Sequence, residues 1–140
     1  MDLSQRCAAF ALMGLASTVA SAANWQPVDT VEADGIHFFV DRASLVKNGP
    51  FTKVWVKANA DRVQRYSTPD GPRFYHSAIS QYLFKCGAGQ VAIAQSVTYS
   101  DLDGGGTPID NVKYPAPEHD LAETVPGSVG DGLLKFVCAR

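Results

Sequence analysis

The sequence predicts an α+β fold, with a single antiparallel sheet of about five to six strands and a C-terminal helix packed on one face. Runs rich in Val, Ile, Phe, Tyr and Trp alternate with turn residues, which is typical of strands joined by tight turns. The 140 residues include 12 Gly and 8 Pro, which leaves room for few long helices. Near the C-terminus the hydrophobic spacing changes from a period of two to that of a helix.

The first 22 residues have the layout of a secretory signal peptide. A polar start ends at Arg6, an uncharged apolar run extends from Cys7 to Ala20, and Ala20 and Ala22 form a small-residue cleavage site. The run is shorter than the ~20 residues of a membrane span, and an uncleaved anchor is the alternative. Cys7 stands at the start of the apolar run instead of at its end, so it does not have the place of a lipid-anchor cysteine. We therefore expect an exported protein whose domain covers residues 23–140, with no membrane insertion after cleavage.

Five stretches have the composition of strands, and the short turns between them predict antiparallel pairing. They are Trp25–Thr30, Ile36–Asp41, Phe51–Ala60, Tyr75–Cys86 and Gln90–Ser100, with a weaker sixth at Ile109–Tyr114. Segments 61–73 and 101–124 are rich in Gly, Pro and Asp and are expected to be loops. No internal repeat or linker interrupts this pattern, so we expect one domain.

Residues Pro126–Cys138 predict the helix. Ser128 followed by Asp131 is the signature of an N-terminal capping box. A helix of about ten residues that contains Gly130 and Gly132 would not be stable alone in water, so it must pack on the sheet. Its apolar face is formed by Val129, Leu133, Phe136 and Val137.

Two cysteines, Cys86 and Cys138, follow the proposed signal peptide. In an exported chain an even pair is most simply joined in a disulfide, and two buried free thiols are the alternative. The cysteines and the three histidines show no metal-ligand spacing, so we expect neither a metal nor a cofactor.

Alternation along the strands predicts a second, uncovered face. Side chains of a strand alternate between its two faces. If Cys86 faces the helix, Phe84 and Tyr82 do so too, and the residues between them face away. The helix side then also receives Val54, Val56, Ala58 and Ala60 and, from the next strand, Val91, Ile93, Val97 and Tyr99. The opposite face, called here the second face, would carry Lys53, Trp55, Lys57, Ile79, Gln81, Leu83 and Lys85. Apolar patches with polar rims often mark interaction surfaces, so this is the candidate binding or dimer face; coverage of Trp55 by the two long loops is the alternative.

Composition and motifs argue against other classes of function. Twelve Lys and Arg against 14 Asp and Glu give a net charge of −2, which does not suit a nucleic-acid binder. Pro126–Gly130 resembles a nucleophile elbow but lacks its first glycine, so Ser128 is more simply a helix cap. Asp101–Gly106 lacks the later oxygen ligands of a calcium loop. We therefore expect no catalytic residue and no enzymatic activity.

Short motifs spread over about residues 25–138 link the sequence to a known family. They are Trp25-x-x-Val28, Phe39-Val40-Asp41-x-x-Ser44, Lys53-Val54-Trp55-Val56, Ser77-x-x-x-Gln81-Tyr82-x-Phe84-x-Cys86 and the closing block Pro126–Cys138. In order and spacing they resemble the surface-adhesin protein E family of Gram-negative bacteria. The closing block is the most specific of them.

This resemblance implies a sheet packed by a C-terminal helix, with Cys86 and Cys138 joined. It also implies a non-enzymatic envelope protein that adheres to host extracellular-matrix or serum proteins. Its ligand-binding stretch would be Arg73–Lys85, which adds Arg73 and Tyr75 to the candidate face. The partner is then a host protein at the cell surface or, if the protein is a soluble periplasmic accessory protein, an envelope protein. A homodimer through the same face is a further expectation.

Overall fold

A computed structural model describes residues 22–31 and 33–139. Residues 1–21 of the proposed signal peptide lie outside this range. Within it the chain forms eight strands of one sheet and one α-helix. The strands are β1 (Trp25–Pro27), β2 (Ile36–Asp41), β3 (Val46–Asn48), β4 (Phe51–Thr68), β5 (Gly71–Lys85), β6 (Gln90–Tyr99), β7 (Pro108–Lys113) and β8 (Ala122–Glu123), and the helix is α1 (Val129–Cys138).

All strand pairs of the sheet are antiparallel, in the order β1-β2-β4-β5-β6-β7. Strand β3 pairs with the start of β4, and β8 pairs with the start of β6. The antiparallel sheet with a C-terminal helix is confirmed, but the expected count of five to six strands is wrong. Strands β3 and β8 have three and two residues, too few to leave a readable alternation.

Segment 61–73 is not the loop that its composition suggested. It forms the distal halves of β4 and β5, joined by a turn at Pro69 and Asp70. The pairing shifts between Asn59, which lies opposite Ser77, and Gln64, which lies opposite Tyr75. Four residues of β4, 60–63, therefore lie between these pairs where β5 has only His76, and such an irregularity bends and twists the strand.

The core lies between α1 and one face of the sheet. Val40, Val54, Phe84 and Leu133 are fully buried there. Because Val54 and Phe84 pack with the helix, the alternation predicted for β4 and β5 is confirmed at these positions. A disulfide joins Cys86, directly after β5, to Cys138 at the end of α1.

The alternation predicted for β6 is wrong in its second half. Ile93 lies opposite Tyr82 but Gln95 lies opposite Gln81, so one extra residue, Ala94, bulges out of β6. A shift of one residue moves all later side chains to the other face. Val97 and Tyr99 therefore belong to the second face, whereas Val91 packs against the helix-side core.

Polar contacts fix the start of α1. The Oγ of Ser128 accepts a hydrogen bond from the backbone N–H of Asp131 at 3.2 Å. The Asp131 carboxylate accepts from the backbone N–H of Gly127 at 3.0 Å and from the Lys135 Nζ at 2.8 Å. In a standard capping box the Asp131 side chain would accept from the N–H of Ser128. Here it accepts from the N–H of Gly127, one residue earlier. Hydrogen bonds from Lys135 and then Gly127 hold the pKa of Asp131 below its ordinary value.

Candidate binding face of the sheet

Strand register brings six of the candidate residues together on the second face. Residues directly opposite each other in antiparallel strands share a face. Three successive same-face pairs join β4 to β5: Lys53 with Leu83, Trp55 with Gln81, and Lys57 with Ile79. Lys85 follows at the end of β5.

Arg73 and Tyr75 lie away from this group. Both belong to the distal half of the β4–β5 hairpin, where Arg73 is opposite Tyr66 and Tyr75 is opposite Gln64. The register shift separates this half from the three pairs described above. The stretch Arg73–Lys85 is therefore one strand, but its two ends belong to different surfaces.

Lys57 is buried, so the expectation that it forms part of an open rim is wrong. The residue is 7% exposed. Its Nζ lies 2.8 Å from Oδ1 of Asp103 and 4.7 and 4.9 Å from the ring centroids of Trp25 and Phe39. The hydrogen bond from Lys57, followed by one from Asn59, holds the pKa of Asp103 below its ordinary value. Lys57 thus anchors a loop and is not free to meet a partner.

The connection between β6 and β7, residues 100–107, is called here the covering loop because it folds back over the second face. The Oγ of Ser77 donates to the carbonyl of Asp101 at 2.6 Å and accepts from the N–H of Gly104 at 2.9 Å. The Asn59 side chain makes two further hydrogen bonds to Asp103. This loop closes off the end of the face that contains Ile79.

Gly104 shows how closely the covering loop approaches the sheet. Its φ is +71°, and a Cβ at this position would lie 2.5 Å from Cδ1 of Ile79. A larger residue would therefore be strained by both its backbone conformation and its contact. This glycine therefore meets a requirement for close approach of the loop to the sheet.

An apolar groove of about 350 Å³ remains open at the other end of the second face. Leu83 is 2% exposed, at the base of the groove, and Val46 is 60% exposed at its edge. The expectation that Leu83 is an open surface residue is therefore wrong. The full lining is Val46, Asn48, Phe51, Lys53, Leu83 and Glu118.

The sequence pattern identifies only part of this groove. Phe51 has the same parity in β4 as Lys53 and could have been found by extending the alternation by one step. Val46 and Glu118 come from a three-residue strand and from a short 3₁₀ turn, Pro117–His119, that is distant in the chain. No local pattern places either beside Lys53. Trp55, the proposed anchor, is half-buried, and its backbone N–H donates to the Ser44 Oγ at 2.9 Å.

The described part of the chain contains neither a metal-ion cluster nor a membrane-spanning helix. Residues 22–31 and 33–139 contain no group of three or more His, Cys, Asp or Glu arranged to hold a metal ion. Over the same ranges, no helix has the length and apolar character needed to span a bilayer.

Comparison with known proteins places the chain in a family. The model of the family described as "Surface-adhesin protein E" matches residues 25–139. Crystal form II of protein E from Haemophilus influenzae is similar with a TM-score of 0.53 and 14% identity, covering 84% of this chain and 97% of that chain. The selenomethionine form of the same protein gives a TM-score of 0.54 and 15% identity, covering 86% and 94%. No curated protein sequence matches. At these identities the structures support the fold, and the family match carries the assignment: the chain belongs to the surface-adhesin protein E family.

Proposed function

We propose that this protein is an exported, non-enzymatic binding module that docks a protein partner in the groove on its second face. The observation that carries this proposal is the family match over residues 25–139, a family described by surface adhesion. The groove lies at the end of the candidate face that the covering loop does not reach. Residues 1–22 supply the proposed export signal.

The groove has the mixed character of a protein interface. Val46 and Phe51 offer apolar surface, while Lys53 and Glu118 place opposite charges in the same lining. Interfaces commonly bury apolar anchors at their centre and keep polar residues at the rim. The partner that fits is a folded protein with a protruding apolar side chain between charged neighbours. We propose a host extracellular-matrix or serum protein in this role.

A matched pair of valine variants tests the docking site. Val46→Asp places a charge in the groove, whereas Val63→Asp changes a similarly exposed valine in the β4–β5 hairpin; the two valines are 60% and 52% exposed. Residues 23–140 would be applied to immobilised basement-membrane extract and to immobilised serum proteins. We expect Val46→Asp to weaken capture by about tenfold, because a carboxylate must then be desolvated on docking. Equal capture of both variants and the unchanged protein would remove the groove from the site.

The compartment needs a separate experiment. Intact cells would be treated with protease, and a known periplasmic protein would serve as the control. Digestion of this protein while the control survives supports surface display and adhesion to a host partner. Protection until the outer membrane is opened contradicts host adhesion in place and favours a periplasmic accessory protein with an envelope partner.

A second copy of the chain is a further candidate occupant of the groove. Light scattering of residues 23–140 at high micromolar concentration separates this case from the others. A dimer that Val46→Asp dissociates would assign the groove to self-association. A monomer leaves it to another protein.

A further inference from the structure

A second groove lies on the face of the sheet that carries α1. Ser96 and Thr98 lie opposite Ser80 and Ala78, further along β5 and β6 than the part that packs against the helix. The groove has a volume of about 230 Å³. It is lined by Tyr66, Tyr75, Ser96, Thr98, Asp110, Val112 and Tyr114, and it is called here the tyrosine groove.

Curling of the β4–β5 hairpin creates the tyrosine groove. Strands β4 and β7 are separated by β5 and β6, so a flat sheet would hold them about 14 Å apart. Yet the Tyr66 hydroxyl lies 3.0 Å from Oδ2 of Asp110 in β7. The distal hairpin must therefore bend over the sheet, which the register shift after Asn59 permits. The groove is the space enclosed between this hairpin and β6–β7.

Aromatic rings form the walls of the groove at a steep angle. The Tyr66 and Tyr75 ring centroids are 5.7 Å apart and their planes meet at 66°. Tyr114, which is 43% exposed, adds a third ring. Aromatic faces attract cations, and cages of several rings are the usual way in which proteins hold quaternary ammonium groups.

Asp110 supplies negative charge, and each of its carboxylate oxygens already accepts one hydrogen bond. Its Oδ2 accepts from Tyr66, and its Oδ1 accepts from the backbone N–H of Asn111 at 2.8 Å. One lone pair remains on each oxygen, so Asp110 could accept at most about two further hydrogen bonds from a ligand. A quaternary ammonium group donates none and needs only the charge and the ring faces.

We propose that the tyrosine groove binds the quaternary ammonium group of a phosphocholine-type ligand. Arg73 is exposed and lies directly opposite Tyr66, close to the turn of the hairpin, so it is placed to pair with the phosphate. A cation on one side of the aromatic walls and a carboxylate on the other match the two charges of such a zwitterion. This site is separate from the protein-docking groove and does not depend on the function proposed for that groove.

Titration calorimetry of residues 23–140 with phosphocholine tests the proposal. We expect Tyr75→Ala to weaken binding by about tenfold, because it removes one wall of the cage. Phe74→Ala is the matched control, since Phe74 is a neighbouring aromatic residue of the same strand that is 52% exposed and lies outside the groove lining. Asp110→Asn keeps an acceptor for Tyr66 and removes the charge, so a loss of affinity there identifies the electrostatic contribution even if Tyr75→Ala fails to fold.

The ligand series makes the proposal falsifiable. The neutral isostere of choline, 3,3-dimethylbutan-1-ol, has the same shape without the charge and is expected to bind at least several-fold more weakly than choline. Equal binding of the two, or no binding of phosphocholine at millimolar concentration, would overturn the proposal. Sedimentation with phosphatidylcholine vesicles then identifies the source: co-sedimentation indicates a lipid headgroup, and binding of free phosphocholine without co-sedimentation indicates a headgroup carried elsewhere.

Discussion

The Nζ of Lys57 lies 2.8 Å from Oδ1 of Asp103, and this ion pair holds the covering loop on the second face of the sheet. The two partners differ strongly in their surroundings. The Lys57 side chain is 9% exposed, whereas that of Asp103 is 64% exposed. Loss of the carboxylate therefore leaves a buried ammonium without its anion, and loss of the ammonium leaves a carboxylate that water can solvate.

We predict that Asp103→Asn lowers the free energy of unfolding by about 1 kcal/mol. Asparagine tolerates the positive φ of this position and retains an acceptor, so the variant removes mainly the charge. Lys57→Met should cost less in the Asp103→Asn background than alone, because the ion pair is already lost there and only the contacts of Lys57 with the Trp25 and Phe39 rings remain to be removed. Urea unfolding of the two single variants and the double variant measures this coupling. Strictly additive losses would show that the pair is not coupled.

Stability should fall in acid through Asp103 and Asp131. The pKa of each lies below the ordinary value of 3.8, mainly because Lys57 and Lys135 donate hydrogen bonds to them. The unfolded chain then binds more protons than the native one as the pH approaches 3.8, so this stabilisation is complete well above that pH and is lost as pH falls through the native pKa values. Urea midpoints measured from neutral pH downwards should fall less steeply in Asp131→Asn. Asp70→Asn, at the hairpin turn, serves as the control; an equal slope in both variants contradicts the role of Asp131.

Removal of the disulfide should lower the free energy of unfolding by more than Asp103→Asn does. Cys86 and Cys138 are 52 residues apart, and the chain-entropy model assigns about 4 kcal/mol to closing such a loop. We expect the Cys86→Ala/Cys138→Ala variant to lose a large part of this amount in urea unfolding. A reducing agent should destabilise the unchanged protein to a similar degree and leave the variant unaffected. Insensitivity of the unchanged protein to reduction would contradict this expectation.

Two glycines of α1 should respond oppositely to alanine. A Cβ at Gly130 would make an ordinary contact of 3.5 Å with Val91, so Gly130→Ala should stabilise the protein by about 0.5 kcal/mol through helix propensity. A Cβ at Gly132 would lie 2.5 Å from Cγ2 of Val31, so Gly132→Ala should cost about 1–3 kcal/mol. Thermal melts of the two variants compare them directly. Equal shifts in the melting temperature would show that Val31 yields without cost.

Local patterns were sufficient for the strands and the helix that bury apolar residues. Val54 and Val56 alternate with Lys53, Trp55 and Lys57 on the opposite face. Leu133 and Val137 recur at helical spacing, so each signal matches the contact that the residue makes. The distal β4–β5 hairpin has no such signal, because its strands are largely exposed on both sides. The two strands of this hairpin form because they pair with each other, and not because they bury apolar side chains.

The candidate site could be predicted only in part because two irregularities decide it. The Ala94 bulge transfers Val97 and Tyr99 to the second face, and the shift after Asn59 sends Tyr75 to the tyrosine groove. Neither leaves a mark in composition or period. The burial of Lys57 likewise depends on Asp103, which is distant in the chain and reaches the sheet only through the folded covering loop.

The bond between Cys86 and Cys138 also determines how the molecule transmits a mechanical load. Cys138 ends α1, so a pull on the residues beyond it passes through the covalent link directly into the end of β5. Strands β6, β7 and β8, the covering loop and the helix all lie inside this covalent loop and outside the path of tension. Force between the two chain ends is therefore carried by β1 to β5. A chain held under flow would keep its helix and its covering loop until the pairing of β4 with β5 gives way.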